Sequence, residues 1–209
     1  MADDTRPSDR SAAAKADETV APRPLRADAV RNRERLLETA KAAFAEVGPD
    51  LSLDEIARRA GVGIGTLYRH FPSREAVVAA VYEREVRQIA EAARRLSREA
   101  GPLEALRQWM RLFIDYLATK KGLSAALGAM VGNPPPAFAA AGGQITEAMT
   151  LLVDRAVASG EVRRDVDVLD LMRGLAGLAY GAATPGWEAG TLRLVDILVD
   201  GLKAPPSGS

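Results

Sequence analysis

The stretch that most limits how this chain can fold is residues 52–73, SLDEIARRAGVGIGTLYRHFPS. Ser52 and Glu55 have the S-x-x-E spacing of a capping box, which predicts a helix that begins directly after the serine. Gly61 suits the left-handed backbone that ends such a helix, and Pro72 ends the next one. The stretch therefore predicts two short helices joined by a tight turn that contains glycine, which is the helix-turn-helix unit.

The same glycines raise the alternative of a phosphate-binding loop, which the sequence context excludes. A dinucleotide fingerprint requires G-x-G-x-x-G after a β-strand, but Thr66 stands where the last glycine should be, and the preceding segment is helical in pattern. The Gly-Lys-Ser/Thr of a Walker A loop does not occur. Gly63 and Gly65 are therefore interpreted as keeping the start of the second helix slim enough to approach base edges in a major groove.

The second helix of the pair, predicted over about residues 64–71, presents polar side chains opposite its apolar face. Arg69 can contact a phosphate, and Thr66 can offer its methyl or hydroxyl group to a base edge. Tyr68 and His70 can donate hydrogen bonds to a phosphate. Each residue taken singly is more often a solvated surface residue, but their combination at this spacing favours DNA binding.

The rest of the chain is also helical in pattern, so the predicted fold class is all-α. Ala, Leu, Glu and Arg dominate after Leu25, and β-branched alternation is scarce. Predicted helices cover about residues 28–47, 53–60, 64–71, 74–100, 103–120, 137–159, 168–182 and 191–203, and a short one ends near 131. The segment TPGWEAG, residues 184–190, is predicted to be a loop.

The chain divides into four predicted segments. Residues 1–24 have almost no large apolar side chains and are expected to form a disordered arm. Residues 25–72 form the helix-turn-helix domain, and residues 73–203 form a larger helical domain. Residues 204–209 are expected to be a disordered tail.

Residues from about 33 to 78 resemble the N-terminal domain of the TetR family of transcriptional repressors. The resemblance lies in RERLLETAKAAFAEVG and in LSLDEIARRAGVGIGTLYRHFPSREAVVAAV. Its most specific part is LYRHF followed by the basic residue Arg74. The remainder of the chain is similar only in being helical and of the expected length, apart from a weaker similarity at ASGEVRRDVD.

The resemblance implies three N-terminal helices that bind DNA, a connecting fourth helix, and a C-terminal domain that dimerises through its last two helices. It further implies a dimeric repressor that a small apolar or amphipathic effector releases from a palindromic operator. The positions expected to contact operator DNA are Arg33, Ser52, Gly63, Ile64, Gly65, Thr66, Tyr68, Arg69, His70 and Arg74. The expected phosphate contacts among them are those of Arg33, Ser52, Tyr68, His70 and Arg74.

The start of the second helix departs from the family pattern. Members of the family often have Ser or Thr at position 63 and a basic or polar residue at position 64, whereas this chain has Gly63 and Ile64. Base readout is therefore expected to depend more on Thr66 and on apolar contact with thymine methyl groups. The alternative for Ile64 is partial burial within the protein.

Two further sets of residues are expected in the C-terminal domain. The expected dimer interface comprises Gly174, Gly177, Gly181, Leu194, Ile197 and Leu198. Three glycines at helical spacing favour close helix approach across a dimer, and the alternative is packing, or a pocket floor, within one subunit. The expected effector pocket is lined by Trp109, Met110, Phe113, Tyr116, Phe138, Met149 and Tyr180, with plain core packing as the alternative for each. Trp187 is expected to cover the pocket or an edge of the fold.

Composition narrows the remaining function classes. The formal net charge is +0, so affinity for nucleic acid must come from local charge placement. The chain has no Cys and a single histidine, His70, and no nucleophile motif or paired carboxylates appear, so neither a metal, a cofactor nor an enzyme activity is expected. With no apolar signal region or membrane-length run, a cytoplasmic location without membrane contact is expected. A helical scaffold that binds protein would explain the helices but not the arrangement of Tyr68, Arg69, His70 and Arg74.

Overall fold

Two hydrophobic cores share one long helix in this protein. The computed structural model describes residues 23–128, 136–181 and 187–205, and within them the side chains other than those of residues 23–26, 49, 125–126, 136–140 and 188. Over the described part of the chain the fold is all-α, which confirms the predicted class. Its α-helices, in chain order, are α1 (Arg23–Val47), α2 (Leu53–Arg59), α3 (Ile64–His70), α4 (Arg74–Glu99), α5 (Pro102–Gly122), α6 (Ser124–Gly128), α7 (Pro136–Ala158), α8 (Val168–Gly181) and α9 (Trp187–Gly201).

The smaller core, called the head core here, joins α1, α2, α3 and the first turns of α4. Its large side chains include Leu36, Leu37, Phe44, Leu51, Ile56, Leu67, Phe71, Val77, Val78 and Val81. The α4 residues of this core end at Val81, and the next residue, Tyr82, belongs to the other core. The two cores therefore meet within α4, which is one continuous helix.

The larger core, called the body core, is built by the rest of α4 with α5, α7, α8 and α9. Its buried side chains include Ile89, Trp109, Met110, Phe113, Tyr116, Ile145, Met149, Leu152, Leu175, Val195 and Val199. The segment after α7 is tied to the end of α9, where Arg163 N donates to Leu202 O at 3.0 Å and Ala204 N donates to Glu161 O at 3.0 Å. No helix in the described ranges is both long and apolar enough to cross a membrane.

Serine side chains cap the starts of α2 and α4. Ser52 Oγ accepts a hydrogen bond from Glu55 N at 3.2 Å, and Ser73 Oγ accepts one from Ala76 N at 3.2 Å. The Glu55 carboxylate is bonded to arginines further along α2 instead of to the backbone of Ser52. The helix therefore has the serine half of the predicted capping box, which is the half that satisfies one of its free N–H groups.

Helix limits in two places differ from the predictions. α1 begins at Arg23, so Asp28 is an interior residue that pairs with Arg31 and is not a cap. Pro24 fits there because the first turn of a helix needs no donor. Trp187, predicted to lie in a loop, begins α9, because a single glycine such as Gly190 costs only about 1 kcal/mol and does not end a packed helix.

The predicted terminal segments fall mostly outside the described residues. Residues 1–22 of the predicted arm lie there, whereas its last two residues belong to α1. In the predicted tail, residues 206–209 lie there too, while Ala204 is hydrogen-bonded to Glu161. The described part of α6 ends at Gly128, and residues 129–131 of its predicted extent are likewise outside.

Candidate nucleic-acid interface

The turn between α2 and α3 has the conformation that its glycine was predicted to permit. Gly61 has φ +64°, a left-handed conformation that costs other residues free energy. Val62 N donates to Ala57 O at 3.0 Å, and Val62 packs against the head core. The turn thus connects α2 and α3 directly and packs against the head core that they share with α1 and α4.

The α3 helix is anchored on one side and open on the other. Leu67 is fully buried in the head core, and Phe71, which follows the last turn, is buried with it. Around the rest of the helix Tyr68 is 50% exposed and Ile64 is 36% exposed, and Arg69, on the side opposite Leu67, is exposed as well. Tyr68, Arg69 and Ile64 thus lie on an outward surface from which side chains can reach a partner.

The two glycines at the start of α3 face open space. Gly63 is the N-cap residue, and its carbonyl accepts a hydrogen bond from Thr66 N at 2.8 Å. A Cβ atom built at Gly63 or at Gly65 would meet no protein atom within 4 Å. Internal packing therefore does not require glycine at either position, which is consistent with a need for slimness toward an external partner. Thr66 and His70 are partly exposed beside them.

The two arginines expected to contact phosphate are held against aromatic rings. The Arg33 guanidinium lies 5.3 Å from the ring centroid of Phe71, and that of Arg74 lies 5.4 Å from the ring of Phe44. Arg74 Nε also donates to Leu51 O at 3.3 Å. These contacts fix the cations at the edge of the head core before any anion binds, which lowers the entropy lost on binding.

A basic cluster on α2 was missed by the sequence reasoning. Arg58 and Arg59 both donate to the Glu55 carboxylate, at 2.6–2.8 Å, and Arg59 donates to Glu46 at 2.5 Å. Hydrogen bonds from Arg58 and Arg59 lower the pKa of Glu55 to about 2. Arg58 and Arg59 follow Glu55 by three and four residues, a spacing that predicts this pairing from the sequence. The carboxylates offset the positive charge of α2, whereas α3 carries Arg69 and no acidic residue.

Ser52 occupies the start of α2 with its hydroxyl at the surface. Its oxygen accepts the capping hydrogen bond from Glu55 N, while the hydroxyl hydrogen is a separate donor that can point outward. The structure thus presents nearly all the predicted DNA-contact residues on the surface of the head and leaves Arg33 and Arg74 partly covered.

The residues expected in a dimer interface lie on an exposed face of α8 and α9. Gly174, Gly177 and Gly181 are exposed, and a Cβ atom at each would meet nothing within 4 Å. Leu194 is 45% exposed and Ile197 is 66% exposed. Leu169 and Tyr180 on α8 are exposed as well, and Leu198 on α9 is partly exposed. Packing within one subunit therefore does not account for the glycines.

The residues expected to line an effector pocket are mostly packed against each other. Trp109 stacks on Phe113 with ring centroids 5.3 Å apart, and Phe113 stacks on Tyr116 at 5.7 Å. Trp109 Nε1 donates to Ile89 O at 2.9 Å. Met110 and Met149 are fully buried in the same core. This aromatic row is continuous with the body core.

The remaining pocket candidates lie elsewhere. Tyr180 is nearly half exposed on α8. The side chain of Phe138 lies outside the described residues. Trp187 is partly buried, with Lys121 Nζ 5.4 Å from its ring centroid, and it lines a cleft between α1 and the end of α5.

A helix-turn-helix head with an outward, basic second helix, joined through one continuous helix to a larger helical body, defines a class of DNA-binding regulators. The family model for bacterial regulatory proteins of the tetR family matches residues 36–81. A second model, for the C-terminal domain of SbtR-like transcriptional regulators, matches residues 101–204. The chain belongs to the TetR family of transcriptional regulators.

Individual relatives support the same assignment. A TetR transcriptional regulator from Streptomyces coelicolor is 42% identical with a TM-score of 0.76, over 82% of this chain and 98% of that one. A TetR regulatory protein from Mycobacterium vanbaalenii is 40% identical with a TM-score of 0.70, over 87% and 100%. A gamma-butyrolactone receptor is 25% identical with a TM-score of 0.59, over 86% and 91%. HTH-type transcriptional regulators of Staphylococcus aureus are 40% identical over 63 residues, which span 30% of this chain but only 34% of theirs.

Proposed function

We propose that this regulator is a dimeric repressor that places α3 in the major groove of a palindromic operator. Binding of a small effector releases the repressor from the operator. The observation that supports this most is the orientation of α3. Leu67 and Phe71 fix one side of the helix in the head core, while Arg69 on the opposite side is exposed and Tyr68 between the two sides is half exposed. A helix of this length held only by its inner face is accessible to a groove along its outer face.

A dimer is part of the proposal because one short helix reads too few base pairs to discriminate among genomic sites. Two copies related by a two-fold axis would read two half-sites about 34–36 Å apart. The exposed glycines and leucines of α8 and α9, with Ile197 at 66% exposure, are suited to close packing of these helices against a second copy. We propose residues 73–203 as the unit that dimerises and binds effector, and residues 25–72 as the unit that reads DNA.

The effector is proposed to be apolar or amphipathic. A related protein of the same fold is a gamma-butyrolactone receptor, and the body here contains an aromatic row, from Trp109 to Tyr116, beside two buried methionines. An effector must favour the arrangement that cannot bind DNA, because equal affinity for both arrangements shifts no population. The continuous α4 is the proposed lever between the two units.

Selection of bound sequences from random DNA tests this function. A palindrome with half-sites one helical turn apart is the expected result. A gel shift against DNA upstream of the protein's own gene, at two salt concentrations, should show binding that weakens steeply with salt because phosphate contacts release counterions. Absence of binding to any sequence in the pool would instead favour a protein-binding scaffold. A reporter gene behind the selected site would separate repression from activation.

A further inference from the structure

A cleft between α4 and α5, beside α1, contains a buried carboxylate with one oxygen that lacks a hydrogen-bond partner. The cleft has a volume of about 350 Å³, within the range of small-ligand sites. Glu85 lines it and is only 6% exposed. Glu85 Oε2 accepts from Lys41 Nζ at 2.6 Å, while Oε1 is buried and has no partner among the described residues.

An unpartnered carboxylate oxygen is a reason to expect a donor from outside the protein. A buried acceptor that has lost its water and gained no donor raises the free energy of the folded state, and a charged acceptor raises it more. A carboxylate has room for several donors, and its terminal torsion is soft, so the two oxygens of Glu85 can exchange places. A donor in the cleft can therefore hold one oxygen while Lys41 holds the other.

The charges around the cleft favour a donor that is positively charged. The acidic residues that line it are Glu85, Glu91 and Asp115, and the basic ones are Lys41 and Arg95. Arg95 has its own partner, since its Nε lies 3.6 Å from Glu99. Carboxylates thus exceed cations in the lining, so a cation in the cleft would be attracted overall.

The junction between head and body next to the cleft has the same excess of carboxylates. Arg84, the neighbour of Glu85, donates to Glu38 at 2.5 Å and lies 3.1 Å from Glu34. Two carboxylates of α1 therefore face one guanidinium, whose Nε and Nη1 are buried without a well-aligned hydrogen bond.

The remaining walls of the cleft suit an apolar body attached to that cation. Ile89, Ala92 and Leu112 supply aliphatic surface. Tyr116 lines the cleft as well, and the face of an aromatic ring attracts cations. Burial, and then the hydrogen bond that the Tyr116 hydroxyl makes to the Tyr82 hydroxyl at 3.1 Å, raise the pKa of Tyr116, so its phenol stays neutral.

We propose that this cleft binds a small organic cation, an amine or guanidine on an apolar body, with Glu85 as its anchor. The site would couple to the head because Lys41 belongs to α1, so the ligand and Lys41 share one carboxylate. A ligand that weakens the pair between Lys41 and Glu85 loosens α1 from α4. This regulatory consequence, unlike the binding itself, rests on the proposed function.

Calorimetric titration of the full chain with phenethylammonium chloride tests the site, with neutral phenethyl alcohol as the matched probe. The ammonium ion should bind at millimolar or lower concentration, and the alcohol should bind at least about tenfold more weakly, because it cannot offer a charge-assisted hydrogen bond. Glu85→Gln should weaken binding of the ammonium ion by about tenfold or more.

Two further variants keep this test decisive if Glu85→Gln folds poorly. Lys41→Met removes the competing ammonium and should tighten binding of the probe, so the two variants move the affinity in opposite directions. Glu83→Gln removes an exposed carboxylate of α4 that does not line the cleft and should change the affinity by less than about threefold, as substitutions of surface charges do. Equal binding of the alcohol and the ammonium ion, or failure of both wild type and Lys41→Met to bind it, would overturn the proposal.

Binding of the probe and binding of DNA are measured separately, so the two proposals fail separately. Probe binding without any DNA binding would support the proposed cation site and contradict the proposed repressor function. DNA binding, with no binding of the ammonium ion by wild type or Lys41→Met, would support the repressor function and contradict the cation site.

Discussion

The head and the body of this protein present their characteristic residues in opposite ways. In the head, Tyr68 and Arg69 lie outside while Leu67 anchors the helix that bears them. In the body, the aromatic residues from Trp109 to Tyr116 lie inside and stack on each other. A DNA groove can be reached by side chains that are already outside, whereas a ligand for the aromatic row would have to enter between packed side chains. Substitutions in the head should therefore act mainly on binding, and those in the body mainly on stability.

Removal of Trp109 should give the largest change in stability. Trp109→Ala deletes a fully buried ring and its hydrogen bond to Ile89 O, so the free energy of unfolding should fall by about 3–5 kcal/mol. Urea denaturation followed by circular dichroism measures it. Trp187→Ala, at the partly buried tryptophan, is the control and should cost about 1 kcal/mol. Equal losses for the two variants would contradict the packing described for the aromatic row.

A charge on the exposed face of α9 tests whether that face meets a second copy. Ile197→Glu should leave monomer stability nearly unchanged, since the side chain is 66% exposed, but should weaken dimerisation by about 2 kcal/mol or more because a charge would be buried unpaired. Sedimentation velocity over a concentration series measures the dissociation constant. Leu112→Glu on α5, also an exposed apolar position, is the control. An unchanged dissociation constant would place any dimer interface elsewhere.

Arg74 should act on DNA in general. Arg74→Ala removes a cation held at the edge of the head core, so binding of operator and of random DNA should both fall by about 1.5–3 kcal/mol and the salt slope should flatten by about 1. Fluorescence anisotropy at several salt concentrations measures both quantities. Arg98→Ala, at an exposed position in the last turn of α4, should change neither. A loss confined to operator DNA would mean that Arg74 reads bases.

Thr66 should act on sequence preference. Thr66→Ala removes a hydroxyl group beside Gly63 and Gly65 and should relax selectivity at one base pair of each half-site by about 1 kcal/mol. Affinity for operators altered at single positions measures the change, and random DNA is the control. Unchanged selectivity at every position would remove Thr66 from the set of residues that read the operator.

The smallest change is expected for the hydroxyl group of Tyr68. Tyr68→Phe should cost one phosphate hydrogen bond, about 0.5–1.5 kcal/mol of operator affinity, with little change in stability because the ring is half exposed. Anisotropy against operator and thermal unfolding together measure it. A loss of stability larger than the loss of affinity would place the hydroxyl group in the protein's own packing.

The sequence predicted helix ends accurately in the short helices of the head, where local residues set them, and less accurately where packing sets them. The limits of α2 and α3 were predicted within about one residue, because Ser52, Gly61 and Pro72 act through the backbone within a few positions of themselves. The start of α1 and the first turn of α9 were not, because Pro24 and Gly190 are tolerated in helices that packing stabilises. The apolar residues at helical spacing on α5 are buried, as their spacing predicts. The same spacing could not distinguish residues that line a pocket from residues that fill a core.

Capping, turns and helical periodicity depend on neighbours a few residues apart, so the all-α class, the helix-turn-helix and its outward polar face could be predicted from the amino-acid sequence. Three features are visible only once the helices are packed: the ion pair of Lys41 with Glu85, 44 positions away, the contacts of Arg33 and Arg74 with aromatic rings, and the burial of the row from Trp109 to Tyr116 in the body core. Such contacts depend on how separate helices pack, and no local pattern specifies which side chain of one helix will meet which side chain of another.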